Sequence, residues 1–227
     1  MSANHAAFNL IFRFVENYVS PIAGRISSQR HVMAIRDGFI SAMPFMIVGS
    51  FLLVFAYPPF SPDTTWGFAR AWLDMAKQFE GQILTPFDMT MGIMSIYICA
   101  AIAYNLGKHY VKSHQLDPFM CAMLSLMAFL LVAAPKTKGT LPVDSLGGTG
   151  IFTAILVAIY CVEMMRFLKA HNIGIRLPDQ VPPMIKNSFD LLIPVLVVVV
   201  TLYPLSLVIQ SQFDMLIPQA IMSIFKP

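Results

Sequence analysis

The residues able to do chemistry in this sequence are few, and their positions restrict what they can do. Carboxylates with basic neighbours stand at Asp37 beside Arg36, at Glu163 three residues before Arg166, and at Asp190 four residues after Lys186. Deep inside an apolar stretch, such a group would point to an ion- or proton-coupled path. Here each lies at the edge of one, where an ion pair anchoring a helix end is the plainer role. His5, His31, His109, His114 and His171 share no helix face with a third ligand, so no metal site is predicted. Nothing around them marks a phosphoryl acceptor, and they read as scatter on one polar side. Cys99, Cys121 and Cys161 lack metal-ligand spacing and read as small packing residues. No Gly-x-Ser-x-Gly, His-Glu-x-x-His, Walker or dinucleotide motif occurs. The sequence therefore predicts no catalytic residues, metal or cofactor of its own.

The elements that hold these groups are apolar. Of the 227 residues, 57% are hydrophobic and 12% charged, with a mean hydropathy of +0.68. That charged share is about half of what a soluble domain carries. A bilayer accommodates such a chain through stretches of about 20 residues that cross roughly 30 Å of hydrocarbon. Five such stretches are predicted, near 39–57, 89–107, 118–135, 146–165 and 191–213. The fold class expected is all-α: a polytopic membrane protein with about five transmembrane helices plus interfacial amphipathic helices. Residues 1–38 form an amino-terminal segment, 39–213 the five-span membrane domain, and 214–227 a short segment on the outer side. No cleavable signal peptide is read in the first 30 residues. Residues 7–23 repeat apolar side chains at helical spacing, which suits a helix in the membrane interface. The loop after the first span carries Trp66 and Trp72, residues favoured at headgroup depth.

Charge gives the expected orientation. Ten of the fifteen Lys and Arg fall in the amino-terminal segment and in the connections after spans two and four. The positive-inside rule then puts the amino terminus in the cytoplasm. The basic residues are scattered beside spans, which argues against nucleic acid as a partner. Inside the spans, Ser95, Cys99, Ala103 and Gly107 lie four apart, as do Gly150, Ala154 and Ala158. Such stripes let two helices approach closely. Pro44, Pro194 and Pro204 each remove one helical hydrogen bond.

Three segments carry a family resemblance. Residues 30–44, RHVMAIRDGFISAMP, with the small-residue step Val48-Gly49-Ser50, residues 90–95, TMGIMS, and residues 176–189, RLPDQVPPMIKNSF, come in order and at sensible spacing. They resemble the enzyme IIC permease of bacterial phosphotransferase systems, in its lactose, cellobiose and diacetylchitobiose branch. The resemblance implies a bacterial inner-membrane permease subunit for a β-linked disaccharide. It also implies enzyme IIB and IIA phosphocarrier partners, and a homodimer set in membrane lipid. The small-residue stripes are compatible with a dimer contact. Family members are roughly twice as long, and their second half brings the sugar-holding residues, so no sugar-binding residue carries over. The motif positions to test for ligand contact are Leu177, Pro178, Asp179, Val181 and Pro182. The same residues also suit a rigid turn before span five. Two functions stay open at this point: a permease subunit or its amino-terminal half, and a transport-inactive membrane dimerisation module.

Overall fold

The computed structural model describes residues 16, 20–135, 142–175, 180 and 182–225. Its elements are helices: α1 (Ser20–Ser27), α2 (Arg30–Ala56), α3 (Gly67–Asp88), α4 (Met94–His114), α5 (Pro118–Ala133), α6 (Ile151–Ala170), α7 (Pro183–Asp190), α8 (Leu192–Phe213) and α9 (Ile217–Phe225). A 3₁₀ turn, Gly148–Gly150, leads into α6. Among the described residues no strand occurs.

Each expected span coincides with a helix, though the ends move. The first begins earlier, at Arg30, so Arg36 and Asp37 belong to its opening turns. The second begins later, at Met94, because the chain turns first: the Phe87 carbonyl accepts from both Thr90 N and Gly92 N. A β-carbon on Gly92 would stand 2.6 Å from the Asp88 carbonyl oxygen, so the turn closes only with glycine there. Among the described residues, three helices are long and apolar enough to cross a membrane: Arg30–Ala56, Gly148–Ala170 and Leu192–Phe213. Pro118–Ala133 is apolar but shorter.

Helix α4 is the centre. It packs against α2, α5 and α6, while α8 lies on α5 and α6, and α3 on α2. Its buried face is Ser95, Ile98, Cys99, Ile102, Ala103, Leu106, Gly107 and Tyr110. The expected small-residue stripe is therefore real, but its partners are helices of the same chain. At Gly107 the fit is tight: Cys121 Sγ and Pro118 Cα lie 3.0 and 3.1 Å from where a β-carbon would be. The stripe of α6, Gly150, Ala154 and Ala158, is likewise enclosed. Both stripes close the chain's own core, so they supply no surface for a second copy.

Helix α5 shows how locally the sequence acts. Asp117 adopts extended backbone and its Oδ1 accepts from Phe119 N at 2.8 Å and Met120 N at 3.3 Å, while Pro118 fills the first helical position. Replacing this cap with Asp117→Ala is expected to lower stability by about 1 kcal/mol. Thermal unfolding in micelles checks this, and an unchanged transition would remove the cap from the account.

Candidate functional site

The starts of α2, α5 and α8 meet the ends of α4 and α6 at one end of the bundle, and the polar groups gather there. Glu163, on the last turns of α6, is the node. Its Oε1 accepts the Tyr110 hydroxyl at 2.5 Å and lies 2.9 Å from His31 Nε2; its Oε2 accepts Arg166 Nε at 2.6 Å. One carboxylate thus ties α2, α4 and α6. The Tyr110 ring is in turn flanked by two guanidinium groups, Arg30 at 5.2 Å and Arg166 at 5.3 Å from its centroid. Cation–π attraction favours such placements. His114, one turn on, meets the same ring edge-on at 5.6 Å.

A second pair lies beside this node. Lys169 Nζ donates to Asp190 Oδ2 at 2.6 Å, joining α6 to α7 just ahead of α8. Asp190 is thus reached by a cation from another helix as well as having Lys186 four residues before it in sequence. The pair borders a cleft of about 380 Å³ lined also by His114, Leu168, Asn172 and Pro194. Two left-handed residues shape its rim, Gln115 (φ 52°) and Asn172 (φ 55°), which end α4 and follow α6.

At the opposite end the groups are aromatic. Phe60 meets Trp66 and Trp72 edge-on at 5.9 and 5.7 Å, and Trp72 Nε1 donates to the Phe55 carbonyl at 3.2 Å. Tyr57 donates its hydroxyl to Glu80 at 2.9 Å. The groove by Trp72 is lined by Phe55, Phe68, Ala71 and Met75, with no hydroxyl or amide side chain to orient a sugar.

Of the motif positions named from the sequence, Leu177, Pro178, Asp179 and Val181 lie outside the described residues. Pro182 is exposed, and its carbonyl accepts from Ile185 N at 3.0 Å and Lys186 N at 3.1 Å at the start of α7. Sequence reasoning placed Glu163 with Arg166 but missed His31 and Tyr110, whose separation along the chain hides their meeting. It also missed the close approach of α2, where Ala34, Gly38 and Ala42 are buried. Their four-residue spacing was a signal that could have shown it.

Comparison with known proteins fits the same frame. The family described as "Phosphotransferase system, EIIC" matches residues 36–226. The chain belongs to that family. This EIIC chain is 35% identical over 214 residues to the "PTS system cellobiose-specific EIIC component" of Geobacillus stearothermophilus, covering 87% of the chain and 45% of that protein. It is 33% identical to the "Lichenan permease IIC component" of Bacillus subtilis (strain 168), covering 89% and 46%. It is 30% identical to the "PTS system lactose-specific EIICB component" of Lactococcus lactis subsp. lactis, covering 91% and 36%. Among solved structures it matches the crystal structure of ChbC, the IIC component of the N,N′-diacetylchitobiose-specific phosphotransferase system. That match has a TM-score of 0.77 and 33% identity, over 92% of this chain and 50% of that one. The EIIC chain therefore spans about half the length of the relatives it matches.

Proposed function

We propose that this chain is the amino-terminal helical half of a permease that takes up a β-linked disaccharide, such as cellobiose or diacetylchitobiose, in a phosphoenolpyruvate-dependent phosphotransferase system. The observation that carries the reading is the identity of about one third, over most of the chain, to the cellobiose-specific relative and to ChbC. On this reading five helices, α2, α4, α5, α6 and α8, cross a bacterial membrane with the amino terminus in the cytoplasm, and the Glu163 node lies at the cytoplasmic end. The distribution of Lys and Arg supports that orientation. Phosphoryl transfer to the sugar belongs to IIB and IIA partners, and the fusion named in the EIICB relatives supports a IIB partner. The helices here supply a frame, and the sugar contacts come from sequence corresponding to the rest of the relatives.

The test is a chimera in which this chain replaces the matching segment of the Geobacillus cellobiose-specific protein. It is placed in cells without their own permease but with the phosphocarriers. Accumulation of phosphorylated labelled cellobiose is the expected result. A chimera shown to insert, yet moving none of cellobiose, diacetylchitobiose or lactose, would overturn the reading.

A further inference from the structure

A groove of about 510 Å³ opens beside the Glu163 node, lined by Ser28, Gln29, Arg30, His31, Tyr110 and Arg166. No carboxylate lines it. Two guanidinium groups stand within 5.3 Å of the same ring centroid, which gathers positive charge at the groove. Glu163 answers only part of that charge. Its two oxygens already serve Tyr110, His31 and Arg166. Among the described residues no carboxylate is paired with Arg30. Two arginines against one glutamate leave a charge of about +1 at the groove.

We propose that this groove is a phosphate-binding site. The chemistry of the lining decides the ligand class. Planar guanidinium forks hold a tetrahedral oxyanion through paired N–H donors, and the Gln29 amide adds further donors at the rim. An uncharged sugar would leave the positive charge unanswered, and a lone halide offers one acceptor atom where an oxyanion offers several. Two sources carry the required group: the phosphodiester of an anionic phospholipid, and a phosphate monoester in solution. The first rests on the reading that this end lies at headgroup depth; the second does not, so failure of the membrane orientation leaves the site itself open to test.

The experiment uses the whole chain in zwitterionic micelles. One arm adds phosphatidylglycerol against phosphatidylcholine and reads bound lipid by native mass spectrometry. The other adds inorganic phosphate against chloride at equal ionic strength and reads the shift in thermal unfolding. In whichever arm binds, Arg30→Gln is expected to weaken binding about tenfold, the scale of one charge-assisted hydrogen-bonded contact. Arg36→Gln, which removes the same charge from an exposed site paired with Asp37, is expected to leave it unchanged. Lipid binding alone assigns the headgroup as ligand, and phosphate binding assigns the soluble monoester class. Binding in neither arm overturns the proposal, as does an equal loss in both variants, which would show only diffuse charge attraction. Arg30 is exposed, so the unfolding of Arg30→Gln without ligand should match the parent and confirms that the variant folds.

Discussion

Gly38→Ala should destabilise the bundle by about 2–3 kcal/mol, although it adds a single methyl group. The physical reason lies in what that methyl would meet. A β-carbon at position 38 would stand 2.9 Å from the backbone nitrogen of Ile102 and 3.0 Å from its Cα, with the Ile102 side chain closer still. A side-chain end can rotate away, but the backbone of α4 cannot move without disturbing its contacts with α5 and α6. Helices α2 and α4 must then separate along the stretch where Ala34, Gly38 and Ala42 let them meet. The intrinsic preference of helices for alanine over glycine, about 1 kcal/mol, works in the opposite direction and is outweighed. Cys99, Cys121 and Cys161 are free and buried, so a thiol-reactive dye reports loss of packing directly. Gly38→Ala should label at a lower temperature than the parent. Labelling at the same or a higher temperature would mean that α2 and α4 are not in this close contact.

Glu163→Ala should cost a similar amount, about 2–3 kcal/mol, for an electrostatic reason. The carboxylate accepts from three side chains on three helices. Its removal leaves the Tyr110 hydroxyl and Arg166 without their acceptor, and the two guanidiniums over the Tyr110 ring lose the nearest negative charge. The site is partly open, with side-chain exposures of 24% at Glu163 and 30% at His31, so water softens the loss relative to a fully buried pair. Tyr110→Phe removes one donor only and should cost about 1 kcal/mol. The order of effects, Glu163→Ala well above Tyr110→Phe, is what thermal unfolding should show. A Glu163→Ala protein that melts with the parent would mean that the node adds nothing beyond surface charge.

The helices were largely legible in the sequence because a bilayer demands long uncharged stretches, and such stretches leave a plain record in composition. The ends were less legible, since local hydrogen bonding sets them. The Phe87 carbonyl holds the turn that delays α4 to Met94, and Asp117 with Pro118 fixes the start of α5. The stripe of α4 was visible, but its partner was not: four-residue spacing says that a close contact exists, not whether it forms with a neighbour in the same chain or in another. For the polar site, Glu163 with Arg166 could be read because one helical turn joins them. His31 and Tyr110 could not, because their approach depends on how α2 and α4 cross α6. That geometry is set by glycine and alanine contacts many residues away.

The position of α4 bears on how the chain enters a membrane. It packs against three other helices, yet its own sequence is not among those long and apolar enough by composition to cross a membrane, with Asn105, Lys108, Lys112 and the histidines His109 and His114 in its second half. A segment of that kind leaving the ribosome finds lipid a poor solvent. Helix α2, made earlier, offers it a face of alanine and glycine in place of acyl chains; α5 and α6, made later, cover the rest. On the reading that α4 crosses the membrane, the surface that accommodates its polar second half is protein, supplied by α2, α5 and α6, and not lipid alone.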